Sequence, residues 1–546
     1  RIDYQYDAVG NRSQVKVTRG VDVTTADYTY DELNRLASVI DSNGTTAYTY
    51  DAVGNLGTVT FPSGISTTYL YNTVNQLTSV TTKDATDAVL SSYSYTLNET
   101  GRRTEITENS GRHTQYTYDG VYWLDTEAIT DASNGDYSAS YDYDVVGNRT
   151  GQTVDGVTTA FTYDDNDRLT QQGGTTYTHD DNGNTLTETL DASTTTYTYD
   201  ARQKMTAVEQ VGSTTNYTYN FNGIRTSKTE AGVTTAFIVD ENRDYAQVLV
   251  EDNGTDTATY TYGHDLLSQT RGGFTNYYHY DGLGSVRSLT DSTGVVTDTY
   301  DYEAFGTVLN QTGLTENSYL FAGEQFDETL DQYYLRARYY DQGIGRFTQM
   351  DTYQGRMGEP VTLHKYLYGN SDPVRYTDPT GNFGLSDVGA AMNIAGRFAV
   401  QTVRKGYSIF SSAVRSGGGN LKRGANVLLT RSGPLIRKIA KKCNSKGKSG
   451  KNPICGYATG WLEAYTQRAV RVAAMPNVRL RGKNRIIVVS GAFDIKRGRG
   501  TAAFNGGFNA SKRNGVIDRK IQAHGFAVGM RFSCLTTGGT ITTGRC

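Results

Sequence analysis

The chain has 546 residues, 37% of them hydrophobic, with 42 Tyr, 60 Gly and 7 Pro, and its formal net charge of -4 conceals two opposed regions. Residues 1–381 hold 24 basic and 53 acidic side chains, whereas residues 382–546 hold 29 basic and only 4 acidic ones, Asp387, Glu463, Asp494 and Asp518. This composition excludes large aliphatic cores, and no apolar run is long enough for a bilayer-spanning helix; Tyr and Thr instead suit pleated, half-buried strands, with Gly supplying positive φ at corners.

From its first residues the chain repeats itself. An aromatic-x-Tyr step begins at Tyr4, Tyr28, Tyr48, Tyr69, Tyr93, Tyr116, Tyr141, Phe161, Tyr177, Tyr197 and Tyr217, at intervals of 16 to 25 residues. A period of this length marks a repeat architecture. Each unit reads Tyr-x-Tyr-Asp, then a turn such as Ala-Val-Gly-Asn, then an alternating stretch such as Leu-Ala-Ser-Val. Alternation puts both rings on one strand face, and Asp, Gly and Asn turn the chain into an antiparallel partner. Each unit is therefore a hairpin that buries little alone and gains stability from its neighbours. Through residues 1–276 every Tyr, Asp and His, including His113 and His179, reads as structural. Arg1 enters in mid-repeat, so further repeats are expected upstream.

These units resemble the YD repeats of the RHS family. Residues 277–381 resemble its repeat-associated core, on the segments YYHYDGLGSVRSLTDSTG, YDYEAFG, FAGEQFDETLDQYYLRARYYDQGIGRF, YLYGN and DPVRYTDPTG. The resemblance implies a mainly β fold, a YD-repeat β-sheet shell or cocoon of stacked hairpins that encloses the variable C-terminal region of its own chain, usually a toxin. The charge split agrees, since an acidic wall offsets a cationic content of net +25. A sheet around residues 382–546 needs on the order of 8,000 Å², and residues 1–381 supply at most about 6,000 Å². An upstream shell segment or a partner shell protein is therefore expected to complete the wall.

The resemblance also implies self-cleavage near a D-P-x-G-L motif by two aspartates. Those would be Asp351 in GRFTQMDTYQG and Asp378 in YTDPTGN, with Arg346 as an orienting or structural partner. Such chemistry needs paired carboxylates that share a proton. The chain departs from the pattern twice: Thr352 follows Asp351 where Pro is common, and Asn382 stands where cleaved versions carry Leu, the next Leu being Leu385. A turn that only caps the shell is the alternative reading of Asp378-Pro379, and Asp372-Pro373 is a second turn of that type.

Beyond Gly381 the pattern changes to a small α+β domain, helices first and strands after. Residues 383–432 space small and apolar residues helically, and residues 456–472 read as a helix; NRIIVVSGAFDI, GTAAFNGGFNAS, KIQAHGFAVGMRFSCL and TGGTITTGRC read as strands. Arg437, Lys438, Lys441, Lys442, Arg497, Arg499, Arg519 and Lys520 form basic clusters suited to phosphates. His524 is the sole histidine of this region, and with Asp494, Asp518 and Glu463 it completes a short acid-base inventory. That inventory is too poor in ligands for a two-metal nuclease, and the zinc signatures of a deaminase are absent. It suits a metal-independent ribonuclease without cofactors, whose nucleophile is the 2′-hydroxyl. His524 as an ordinary packed residue, an ADP-ribosyltransferase cargo, and a non-enzymatic wall or adhesion protein are the competing readings. Cys443, Cys455, Cys534 and Cys546 allow two disulfides of any of three pairings, in keeping with secretion or delivery into target cells. The family suggests an immunity protein as a further partner.

Overall fold

The computed structural model describes residues 1–355 and 360–382, and the backbone of residues 385–386, 486–491, 530–535 and 541–543. The chain divides into two units, Arg1–Ile394 and Ala395–Cys546.

In the first unit, 30 strands from Ile2–Tyr6 to Val308–Thr312 form one antiparallel meander in which each strand pairs with its chain neighbours. The repeat motif explains the hairpins. In the turn at 51–55, Asp51 accepts the backbone N–H groups of Val53, Gly54 and Asn55 at 2.7–2.9 Å. The Asn55 side chain closes the turn on Asp51 at 2.9 Å and reaches Asn75 of the next turn at 3.3 Å. These aspartates are thus consumed in making turns.

The two tyrosines of the motif divide the labour. The first is buried in most repeats, as at Tyr28, Tyr48, Tyr93, Tyr141 and Tyr197. In several repeats the second donates its hydroxyl to a backbone carbonyl beside the preceding turn: Tyr30 to Arg12 at 2.8 Å, Tyr50 to Leu36 at 2.7 Å, Tyr163 to Arg149 at 2.7 Å and Tyr199 to Thr185 at 2.9 Å. These repeats are therefore bonded to the one before as well as paired with it. His113 pairs with Glu105, and His179 is held neutral mainly by burial, pulled down to about 4; both sit within strands of the sheet.

The late strands return against the first ones. Tyr4 donates to Asp240 at 2.6 Å, Arg12 pairs with Asp240 at 2.7 Å, Tyr28 donates to the Tyr262 carbonyl at 3.0 Å, and Phe61 meets His279 edge-on at 4.9 Å. Strands such as Leu266–Arg271 and Phe274–Tyr280 are consequently buried along nearly their whole length, whereas Gly44–Tyr50 exposes alternate residues. The meander continues through the strands of residues 277–312, so the repeat-like and core-like sequence share one sheet.

Residues 319–381 fold differently. Four short strands, Gln325–Asp327, Gln332–Leu335, Arg338–Asp341 and Arg346–Phe347, make a small antiparallel sheet. Tyr333, Tyr339, Tyr340, Phe347, Tyr366 and Tyr368 are fully buried. Polar ties run from this segment to successive turns of the large sheet: Asp372 to Arg102 at 3.0 Å, Tyr366 to the Gly183 carbonyl at 2.9 Å, Gln349 to the Gln203 carbonyl at 2.8 Å, and Asp327 to Arg225 at 2.7 Å. The segment braces the repeats from within the same unit.

In the second unit the strands Ile486–Gly491, Met530–Leu535 and Ile541–Thr543 form an antiparallel sheet, with Ile487 opposite Cys534 and Cys534 opposite Thr542. They fall in three of the four stretches expected to be strands. The fourth stretch and the helical stretches lie outside the described residues, save Leu385–Ser386 of the first, which form a short strand and not a helix. Among the described residues no helix is long and apolar enough to cross a membrane.

Candidate self-cleavage site

The site is built on a hairpin of the bracing segment. Leu335 and Arg338 pair across the two-residue turn Arg336-Ala337, and Arg336 has a φ of 61°. The turn projects two guanidinium groups toward residues 378–381. Arg338 Nη2 lies 3.0 Å from Asp351 Oδ2 and 3.8 Å from Asp378 Oδ2, so one nitrogen serves both carboxylates. Arg338 also donates to the carbonyls of Lys365, at 2.9 Å, and of Gly381, and it lies over the Phe347 ring at 3.6 Å. A buried guanidinium shared in this way aligns two carboxylates that would otherwise repel each other.

The two aspartates differ in surroundings. Asp351 is partly buried and accepts the Tyr353 N–H at 2.7 Å. Burial pushes its carboxyl above the usual range and the charge of Asp378 adds to this, against the opposing pull of Arg338. Asp378 is 4% exposed; it accepts the Thr380 hydroxyl at 3.0 Å and the Asn382 N–H at 3.2 Å, which closes the D-P-T-G turn on its own carboxylate. Gly381 has a φ of 69°, and a Cβ there would sit 2.3 Å from the Leu335 carbonyl oxygen, so glycine is required. Beyond the turn the backbone comes back beside it, with Thr377 opposite Leu385 and Tyr376 opposite Ser386.

A third carboxyl stands close by. Glu324 is buried and pairs with Arg336, and it is pushed up to about 7, chiefly by burial, with Arg336 opposing and Asp378 adding to the rise. Arg336 also donates to the Pro379 carbonyl.

Asp351 and Asp378 are thus brought together, whereas Arg346 is directed elsewhere: it donates to Asn148 at 3.3 Å and to the Asp167 carbonyl, and stacks on Tyr163 and Tyr366. The cation between the aspartates is Arg338, which the sequence reading passed over. Its signal was available in LRARYYD, where charged residues interrupt an aromatic run that must be buried. Asp372, the competing turn aspartate, pairs with Arg102 of the large sheet. His524, Asp494, Asp518, Glu463, Arg437, Lys438, Lys441, Lys442, Arg497, Arg499, Arg519, Lys520, Cys443, Cys455 and Cys546 lie outside the described residues, and Cys534 is described in its backbone alone. Among the described residues no group of His, Cys, Asp and Glu is arranged to hold a metal ion.

Comparison with known proteins shows the family of the shell. Residues 93–374 match the family model of the teneurin YD-shell, and residues 30–64 and 50–87 match that of the RHS repeat. The chain belongs to the teneurin YD-shell family. This YD shell is 39% identical over 132 residues to the tRNA3(Ser)-specific nuclease WapA of Bacillus spizizenii, which is 23% of this chain and 6% of that protein. It is 32% identical over 198 residues to the tRNA(Glu)-specific nuclease WapA of Bacillus subtilis subsp. natto, 35% of this chain and 8% of that one. A double-stranded DNA deaminase toxin A of Burkholderia cenocepacia is 25% identical over 261 residues, 43% of this chain and 17% of that protein. The matches to the nucleases thus span less than a tenth of their length. Among solved structures, the TcdB2-TccC3-Cdc42 crystal structure superposes with a TM-score of 0.56 at 16% identity, covering 71% of this chain and 24% of that one, a likeness of fold.

Proposed function

We propose that this chain is the C-terminal part of an RHS-type toxin, in which the YD shell encloses its own cationic residues 382–546 and releases them by self-cleavage near residues 378–386. The observation that carries the reading is the pair Asp351 and Asp378 on one Arg338 nitrogen, at the junction between the acidic and the basic region. Asp351, the carboxyl that burial pushes up, is suited to hold the proton and give it to the scissile carbonyl oxygen. Asp378 takes a proton from the attacking water, whose oxygen bonds to the carbonyl carbon; collapse of that adduct breaks the C–N bond and passes a proton to the departing amine. The return of the backbone at Leu385 beside Thr377 supports a scissile bond within this short stretch, although Asn382 replaces the usual Leu.

The released part acts on RNA in this reading, as a metal-independent ribonuclease with His524 as its acid-base group. Two relatives named as tRNA nucleases and the net +25 of residues 382–546 support a nucleic-acid target. The missing deaminase zinc signatures weigh against the chemistry of the deaminase relative. Secretion or delivery into target cells, a further shell segment or partner shell protein, and an immunity protein complete the proposal. Expression of residues 382–546 beside a His524→Ala version, with total RNA run on a gel soon after induction, tests it. Discrete RNA cleavage lost in the variant is expected. Growth arrest with intact RNA moves the reading to a transferase, and no arrest moves it to a non-enzymatic tail.

A further inference from the structure

The two carboxylates are held by one element, and that element is itself held by the large sheet. The tip of the Leu335–Arg338 hairpin meets three consecutive carbonyls of the turn that follows Asp378. Arg336 donates to Pro379 O, the Ala337 N–H donates to Thr380 O at 3.3 Å, and Arg338 Nε donates to Gly381 O. The turn is thereby fixed in position along its whole length, on the side where the chain leaves for residues 382–386.

The carbonyls of the tip face the other way and are gripped by Lys204, a residue of a repeat turn 132 to 133 positions earlier. Its Nζ donates to Ala337 O at 2.9 Å and to Arg336 O at 3.4 Å. The Lys204 stem passes Gly223 of the next turn so closely that a Cβ there would meet its Cε at 2.8 Å. Arg336 adds a second tie, from Nε to the Ala246 carbonyl at 2.7 Å, in the loop after the strand Val233–Asp240. Two separate parts of the repeat sheet therefore converge on one two-residue turn, which in turn sets the position of Asp378 relative to Asp351.

We infer that Arg336 and Lys204 are positioning residues for self-cleavage, and that they complete the aspartate centre only when the repeats around residues 204 and 246 have folded against the hairpin. The inference rests on the self-cleavage reading above. Its chemical logic is that a misplacement of about 1 Å in an active site can cost on the order of 100-fold in rate. Severing the chain before the shell has folded would free the cargo early; a centre assembled by the shell itself prevents this.

The test uses the full chain. Asp351→Asn and Asp378→Asn set the baseline, and the rate of fragment appearance is followed in Arg336→Gly, Lys204→Met and Lys204→Arg, with thermal melting recorded for each. Glycine suits the positive φ at position 336, so that variant keeps the turn; it also removes the cation beside buried Glu324, and the melting record separates that effect from a loss of rate. Arg336→Gly is expected to slow cleavage roughly 10- to 100-fold while the melting transition is retained, Lys204→Met to slow it less, and Lys204→Arg to restore most of the rate. Cleavage at the unmodified rate in Arg336→Gly and Lys204→Met, with both aspartate variants inert, overturns this inference and leaves the self-cleavage reading standing. So does a loss in Lys204→Met that tracks its melting temperature and is not rescued by arginine, which would mark Lys204 as structural only. An uncleaved parent chain, or aspartate variants that cleave normally, overturns both.

Discussion

The repeat strands and the bracing segment that follows them are built from the same Tyr-rich vocabulary but hold together in different ways. In the repeats, many stabilising contacts are local: aspartates such as Asp51 close their own turns, and second tyrosines such as Tyr50 and Tyr163 bond to the repeat before. In residues 319–381 the contacts are long-range, with arginines and tyrosines reaching turns that lie 100 or more positions away. A modular array tolerates local damage because each unit depends chiefly on its neighbours, whereas a brace that touches many units concentrates the consequences of one change. The candidate cleavage centre sits in the brace, beside contacts that reach the repeat turns at Lys204 and Ala246.

The sharpest way to break this contrast is at Arg225. Its guanidinium is buried and bonds Asp327 at 2.7 Å, Gln325 at 3.0 Å and Tyr339 at 3.1 Å. Arg225→Met leaves Asp327 buried with Lys228 as its remaining cation, and a loss of about 3–5 kcal/mol is expected in denaturant unfolding of the full chain. A loss below about 1 kcal/mol, the value of a surface pair, would remove the distinction between brace and repeats.

A second change acts where late and early strands meet. Glu127 is buried, its Oε2 accepts the Ala304 N–H at 2.9 Å, and its carboxyl is pushed up to about 8, first by burial and then by the neighbouring Glu303. The folded chain thus keeps a proton that the unfolded chain releases near the ordinary value of 4.5, so this part of the stability falls as pH rises through the interval up to about 8. Glu127→Gln, compared with the parent by thermal melting across that range, is expected to melt relatively higher at pH 8 than at pH 5. Parallel pH curves would contradict this.

Within the repeats the effects shrink. Asp51→Ala removes the acceptor of three turn N–H groups; those of Val53 and Gly54 lie at an exposed turn and can turn to water, whereas Asn55 is buried, so about 1–2 kcal/mol is expected. Hydrogen exchange should show faster opening at residues 48–60 and little change in distant repeats. Smallest of all is Thr162→Ala, which removes an exposed hydroxyl bonded to Thr170 at 2.8 Å; a change within about 0.5 kcal/mol is expected.

The hairpins were legible in the sequence because alternation and the Asp-x-x-Gly-Asn turns are local signals. Tyr-x-Tyr placed both rings on one face, as found, but nothing in the motif says that the second hydroxyl reaches the previous turn. The return of the late strands was not legible either, since the Tyr4–Asp240 bond joins residues 236 apart and depends on how twist accumulates over the whole meander. At the site, the resemblance led to both aspartates, which the fold brings together. Arg346 stands five residues before Asp351 in sequence, but its side chain is taken up by the turns at Asn148 and Asp167. Arg338 holds the position between the carboxylates because the hairpin folds it back over 13 residues to Asp351, a geometry that no spacing rule announces.

The measurement that tests the account most directly is the intact mass of the purified full chain, beside Asp351→Asn and Asp378→Asn. Self-cleavage gives two fragments from the parent, with a new terminus between residues 378 and 386, and a single uncut chain from each variant. An uncut parent under native conditions, or the same fragments from all three, would contradict it.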